Sequence, residues 1–145
     1  MEADETTSGQ GDQGKRASEL HWDSQNWKSH LQLMEDELAF IARLLNSYMF
    51  EPNTPNLFER LQNYQERLKN IRSEKKVVRQ LISKHENDLG GMLECTENSN
   101  DMEYYRKHRL LQTKVLSCLN DFQNLKSEIF NYAGGILKKR KPKTH

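Results

Sequence analysis

The stretch that decides the fold class of this chain is residues 57–89, LFERLQNYQERLKNIRSEKKVVRQLISKHENDL. A stripe recurs along it at alternating spacings of four and three residues: Leu57, Leu61, Tyr64, Leu68, Ile71, Lys75, Val78, Ile82, His85 and Leu89. An α-helix completes a turn every 3.6 residues, so this alternation keeps the stripe on one face of the helix. The pattern is typical of helices that pack against each other by heptads, as in coiled coils.

Two further segments carry the same alternation. The first contains Leu20, Trp27, Leu31, Met34, Leu38, Ile41, Leu45 and Tyr48, and the other contains Tyr104, His108, Leu111, Val115, Cys118, Phe122, Leu125, Ile129 and Tyr132. Short connections between the three segments favour antiparallel neighbours. The sequence therefore predicts an all-α fold, an antiparallel up-down-up three-helix bundle with heptad packing. An extended dimer or trimer of unclosed helices is the alternative.

Helix boundaries follow from the residues that start and stop helices. Thr54 is a natural N-cap with proline after it, whereas the glycine pairs Gly90-Gly91 and Gly134-Gly135 suit helix ends. These signals predict helices near 19–49, 55–89 and 101–133, within a bundle that covers residues 19–137. Residues 1–18 are polar and lack apolar periodicity, so we expect a disordered tail there.

Charge is unevenly distributed along a chain whose formal net charge is +1. Residues 138–145 form a basic tail that contains Lys138, Lys139, Arg140, Lys141 and Lys143, while the near-neutral body argues against a nucleic-acid groove on the bundle. The tail resembles a nuclear localisation signal if the host is eukaryotic, and otherwise reads as a solvated terminus. Nucleic acid is therefore expected to bind only through this tail.

Compartment and chemistry are constrained mainly by what the sequence lacks. No apolar run approaches the ~18 residues of a membrane span, and the polar first residues do not resemble a signal peptide. With 2 cysteines and no export signal, we expect a reducing compartment, the cytoplasm. Phosphate loops, Ser-His-Asp order and Cys-x-x-Cys pairs are absent, so we predict a non-enzymatic protein without cofactor.

A metal site is a weaker hypothesis that comes from the expected register of the helices. If the helices fold back at the two connections, His21, His85 and His108 meet at one end of the bundle, with Cys95 in the loop above. Imidazole and thiolate are zinc ligands, and four of them can form a tetrahedral site. The competing interpretation is a solvated bundle end, where histidines need no ligand.

A second apolar stripe outside the main one carries the functional hypothesis. Its residues are Leu33, Phe40 and Leu44 on the first helix and Leu116, Leu119 and Phe130 on the third. They could simply widen the contact between these two helices. The sharper hypothesis is a docking face for a partner helix or a second copy of the chain. We thus expect a protein-interaction or structural module, with a nucleic-acid-associated protein and a small metal-binding bundle as alternatives.

Overall fold

The structure is a computed structural model that describes the backbone of residues 2–47, 56–94 and 99–139 and the side chains of residues 16–47, 56–93 and 102–136. Three α-helices account for nearly all of the described backbone: α1 (Glu2–Leu45), α2 (Leu57–Glu94) and α3 (Ser99–Lys139). The described residues form no strand. The predicted all-α fold with three helices is therefore confirmed. Within the same residues, none of the helices combines the length and apolar character needed to cross a membrane.

The first helix begins much earlier than the sequence pattern predicts. α1 starts at Glu2, so its backbone is helical through the segment that we expected to be disordered. Residues 2–18 contain no proline, and extending an existing helix by one residue fixes only two dihedrals for each new hydrogen bond. The apolar pattern that starts at Leu20 therefore locates the buried part of α1, not its first turn.

Both glycine pairs lie inside helices instead of ending them. α2 continues through Gly90 and Gly91 to Glu94, and α3 continues through Gly134 and Gly135 to Lys139. Beyond each pair an apolar residue returns to the buried face, because Met92 and Ile136 are both 5% exposed. Burying such a side chain stabilises by about 1.5–3 kcal/mol, which is comparable to the ~2 kcal/mol that two glycines cost in a helix at ~1 kcal/mol each.

The start of α2 also differs from the predicted one. Asn56 has a positive φ of 59°, and its carbonyl accepts a hydrogen bond from the backbone N–H of Arg60 at 3.1 Å. Asparagine tolerates this left-handed conformation better than most residues with a Cβ atom. Thr54 and Pro55, which the sequence marks as the helix start, lie outside the described residues.

Contacts divide the chain into two compact units, a division of which the sequence alone shows no sign. The first unit contains Met1–His30 and Val77–Val115, and the second contains Leu31–Lys76 and Leu116–His145. Each unit thus takes one segment from each helix.

The first unit has a core built around an aromatic ring. Leu20, Leu89, Met92 and Tyr104 form a buried cluster, against which Ala17 and Tyr105 pack. Ser24 is fully buried as well, at the midpoint between Leu20 and Trp27. The apolar pattern skips this position because its residue is polar, although a small side chain fits there.

The second unit has the more apolar core. Leu31, Ile41, Leu125 and Ile129 are fully buried, and Leu38, Leu68 and Phe122 are at most 3% exposed. Lys75 interrupts this core, and its ammonium Nζ lies 2.6 Å from Oε1 of Glu35 on α1. Its stem is therefore packed while its head is paired at the boundary with solvent. At the end of α3, Ala133 is buried where we expected Tyr132, which is half-buried.

Truncation of the buried stripe of the second unit should be costly. We expect Leu38→Ala and Leu68→Ala to lower the free energy of unfolding by about 2–5 kcal/mol and Phe122→Ala by about 3–5 kcal/mol, measured by urea denaturation. Leu33→Ala is the matched control, because Leu33 is 58% exposed and its truncation leaves no cavity. Equal effects of Leu38→Ala and Leu33→Ala would contradict this packing.

Alanine at the internal glycines should stabilise the chain. A Cβ atom added at Gly90, Gly91, Gly134 or Gly135 meets nothing within 4 Å, and none of the four has a positive φ. Each Gly→Ala substitution should therefore raise the free energy of unfolding by about 0.5–1 kcal/mol. A loss of stability on thermal melting would instead mean that the helix stops at that glycine in a left-handed conformation.

Candidate functional site

The second apolar stripe is largely exposed in the second unit. Leu33, Phe40, Leu116 and Phe130 have exposed fractions between 41% and 58%. Leu44 and Leu119 are half-buried. The rings of Phe40 and Phe130 meet edge to face, with 6.5 Å between their centroids and an interplanar angle of 72°. The two phenylalanines therefore extend the contact between α1 and α3 and still present about half of their surface to solvent.

The same side of the two helices carries one ion pair. Lys126 Nζ on α3 lies 2.5 Å from Oε2 of Glu37 on α1. Leu33 precedes Glu37 by four residues, and Leu44 follows Phe40 by four, so all four share one side of α1. The corresponding series on α3 is Leu116, Leu119, Gln123, Lys126 and Phe130.

This surface, which we call the α1–α3 face, is poor in charge for an exposed helical surface. It comprises Leu33, Glu37, Phe40, Leu44, Leu116, Leu119, Gln123, Lys126 and Phe130. Its acid and its base are paired with each other, so the face presents no unbalanced charge. Charge depletion together with aromatic enrichment is the compositional signature of the centre of a protein–protein interface.

The first unit contains a hydrogen-bonded chain of three polar side chains, one from each helix: two buried histidines and a half-buried aspartate. Nε2 of His85 on α2 lies 2.8 Å from Nδ1 of His108 on α3, and Nε2 of His108 lies 2.9 Å from Oδ2 of Asp23 on α1. The two histidines are 4% and 6% exposed. Aromatic rings enclose them: the ring of Tyr104 stacks on that of His85 with 4.0 Å between the ring centroids, and the ring centroids of Trp27 and His108 are 4.7 Å apart.

The carboxylate at one end determines where the protons lie along this chain. A carboxylate only accepts hydrogen bonds, so Nε2 of His108 carries a proton that it donates to Asp23. In a neutral His108, Nδ1 must then accept, and it accepts from the Nε2–H of His85. The remaining nitrogen of His85, Nδ1, is consequently an acceptor.

Burial controls the electrostatics of His85. Burial first, and the neighbouring His108 second, lower the pKa of His85 to about 4, although Asp88 acts in the opposite direction. The imidazole is therefore neutral near pH 7. Burial likewise raises the pKa of Tyr104, which keeps that phenol protonated. A neutral, hydrogen-bonded imidazole at His85 avoids the large cost of a buried unpaired charge.

The structure unites only part of the predicted metal-binding set. His85 and His108 meet, but Nδ1 of His21 lies 3.4 Å from Oε2 of Glu86, and His21 is largely exposed. Cys95 lies outside the described residues. Among the residues that are described, no group of three His, Cys, Asp or Glu side chains is placed to hold a metal ion. The nitrogens that face each other are already occupied by hydrogen bonds.

Glu86 is the hub of an ion cluster at the surface of the first unit. Lys28 and Gln25 both donate to its carboxylate. Burial raises the pKa of Glu86, but these hydrogen bonds outweigh burial and hold the pKa below its usual value. The cluster joins α1 to α2 and explains why His21 turns away from the histidine pair.

The remaining predicted site residues are those of the basic tail, whose side chains the structure does not describe. Lys138 and Lys139 belong to the last turn of α3 without described side chains, and Arg140, Lys141 and Lys143 lie outside the described residues.

Cys118 is buried in the second unit, and burial raises the pKa of its thiol to about 12. A thiol that stays protonated is a poor nucleophile and a poor metal ligand.

Comparison with known proteins yields no match to a protein-family model, a curated protein or a solved structure. The chemistry of the described side chains is therefore the basis for inferring function. Two features stand out on that basis: the α1–α3 face and the Asp23–His108–His85 chain. The sequence pattern marks the first and both histidines, whereas Asp23 lies outside the apolar stripe and carries no signal of its own.

Acid should destabilise the chain through His85. The pKa of His85 is about 4 in the folded chain and ~6.5 when unfolded, so between these values the unfolded state binds a proton that the folded state does not. The free energy of unfolding should therefore fall as the pH drops from 6.5 towards 4, by up to about 3 kcal/mol at about 1.4 kcal/mol per pH unit.

Urea denaturation across this range measures the slope. His85→Gln keeps a donor for His108 and should flatten the slope, whereas His30→Gln removes an exposed histidine as the matched control. An unchanged slope in His85→Gln would show that His85 is not the group that titrates.

Proposed function

We propose that this chain is a non-enzymatic helical interaction module that binds a second copy of itself through the α1–α3 face. The observation that carries the proposal is the exposed edge-to-face pair of Phe40 and Phe130 on a surface without unbalanced charge. Large aromatic side chains left half in water are costly, and covering them is a strong source of binding free energy.

We also propose that each unit packs its three helix segments in up-down-up order by heptads. In the second unit, Glu37 and Phe40 on α1 meet Lys126 and Phe130 on α3 in parallel order. Arg67 and Tyr64 on α2 meet Glu128 and Tyr132 in antiparallel order. Buried residues at spacings of three and four on each helix support the heptad interpretation.

A second copy is the occupant that the charges of the face favour. Because Glu37 and Lys126 neutralise each other, the face offers no net charge to attract an acidic or a basic partner. A second copy presents the same charge-poor apolar surface, and a two-fold axis would bring the two faces together as an isologous interface. Phe40 and Phe130 of each copy would then be the central contacts.

The size of the face predicts a weak, reversible dimer. Leu33 to Leu44 spans roughly 16 Å at 1.5 Å per residue, which is short compared with the helices themselves. Interfaces below ~1,200 Å² are typical of weak, transient complexes. The association should therefore depend visibly on protein concentration.

The test is analytical ultracentrifugation of the full chain over a concentration series from low micromolar to near millimolar. We expect a monomer–dimer equilibrium that Phe40→Glu/Phe130→Glu abolishes, because two buried carboxylates on each side of the interface would lack partners. Circular dichroism must show that the double variant is folded. Val77→Glu, at an exposed apolar position on α2, is the matched control and should dimerise normally.

Two results would overturn the proposal. A wild-type chain that stays monomeric over the whole series excludes the second copy as occupant. If the glutamate variant unfolds, Phe40→Ser/Phe130→Ser gives the second measurement, because serine removes the rings without adding charge. Dimerisation that persists in the folded serine variant would place the interface elsewhere.

A further inference from the structure

A cleft between α2 and α3 lies in the first unit, with His85 among its walls. The cleft has a volume of about 210 Å³. Leu81, Leu110 and Leu111 supply its apolar surface. His85 is 4% exposed, so a buried imidazole adjoins the apolar part of this space. Ligand pockets typically combine apolar walls with a few well-placed polar groups. This volume is below their usual range of roughly 300–1,000 Å³, so it suits only a small ligand.

The charges at this cleft are predominantly positive. Lys84, Lys107 and Lys114 line it, and Asp88 is the one acid among its lining residues. A cleft whose rim carries one sign of charge concentrates ligands of the opposite sign. The leucines and the lysines together select an anion with an apolar body.

The hydrogen-bonded chain connects this cleft with a second opening. Asp23 and His108 both line a separate space of about 350 Å³ between α1 and α3, also in the first unit. His85 is thus at the cleft end of the chain, and Asp23 is at the other end. A proton that arrives at one end can therefore be stabilised by a charge at the other.

We propose that the cleft between α2 and α3 binds a small amphipathic anion and that binding is coupled to the uptake of one proton by the His85–His108 pair. This inference is independent of the α1–α3 face, which lies in the second unit.

The proton balance follows from the hydrogen bonds already described. A proton from solvent bonds to Nδ1 of His85, which is an acceptor nitrogen that takes no part in the hydrogen bonds with His108 and Asp23. No bond breaks in this step, because the Nε2–H of His85 continues to donate to Nδ1 of His108, with 2.8 Å between the two nitrogens. His85 becomes the imidazolium, and the hydrogen bonds through His108 link it to the Asp23 carboxylate at the other end of the chain. One proton is gained and none is lost.

Charged groups from all three helices bear on this pair. Asp23 comes from α1, Glu86 and Asp88 from α2, and Lys107 from α3, which also supplies Tyr104 as a neutral ring. In the empty cleft the pKa of His85 is about 4, because burial and His108 disfavour a positive charge. An anion held by the lysines adds a negative charge nearby, so it raises the proton affinity of the pair. Affinity for the anion must therefore rise as the pH falls.

Hexane-1-sulfonate is a suitable probe for the full chain, because a sulfonate stays charged throughout the pH range of interest. Hexan-1-ol has the same apolar body without the charge. Isothermal titration calorimetry in two buffers of different ionisation enthalpy gives both the affinity and the number of protons taken up. We expect one site, proton uptake with the sulfonate but not with the alcohol, and an affinity that falls by up to tenfold per unit rise in pH between 5.5 and 7.5.

Variants separate the two parts of the proposal. Lys107→Met keeps the side-chain length and should weaken sulfonate binding several-fold while leaving alcohol binding unchanged. Asp23→Asn keeps a side chain of nearly the same shape next to His108 but removes its negative charge, so the number of protons taken up on sulfonate binding should fall. Lys69→Met, at an exposed position of α2 in the second unit, is the matched control for the loss of one positive charge.

The proposal fails if the sulfonate and the alcohol bind equally, or if neither binds. It also fails if the sulfonate binds without proton uptake at every pH. Nuclear magnetic resonance of the histidine ring protons provides a readout that does not depend on affinity: the resonances of His85 and His108 should shift on sulfonate binding. Shifts confined to the exposed His30 would place the anion elsewhere.

Discussion

Burial of one stripe of side chains at spacings of three and four residues is the constraint on which the rest of the structure depends. Long helices in water gain little from their own hydrogen bonds, so they persist because an apolar face is covered. In this chain the fully buried positions, such as Leu31, Ile41 and Ile129, all belong to that stripe. α2 and α3 each extend past a glycine pair to a further buried residue in step with the stripe, Met92 and Ile136.

Two histidines and one lysine lie on the otherwise apolar stripe. His85, His108 and Lys75 occupy positions where an apolar residue would normally lie, and each is at most 9% exposed. Each requires a partner, and α1 provides the acids: Asp23 for the histidines and Glu35 for the lysine. A buried histidine pair tied to a carboxylate is a group whose charge state responds to what binds nearby.

The two features with functional interest obey different physics. On the α1–α3 face, charges cancel and aromatic rings are left half in water, which favours association driven by apolar area. At the cleft between α2 and α3, three lysines and a single aspartate line a space that also has apolar walls and a neutral imidazole, and this excess of positive charge favours an anion. We therefore propose a macromolecular partner for the first surface and a small ligand for the second.

The sequence by itself determined the helical class, the three segments and nearly every buried position, because helical periodicity is a local property that 3.6 residues per turn impose. It also marked Phe40 and Phe130 as an extra stripe. It was wrong about Gly90-Gly91 and Gly134-Gly135, since whether a glycine ends a helix depends on whether Met92 or Ile136 can be buried beyond it. Only the tertiary structure decided that Asp23 and not His21 joins the histidine pair. Asp23 and His108 are 85 residues apart in sequence, so their contact depends on the register between packed helices, which local periodicity does not fix.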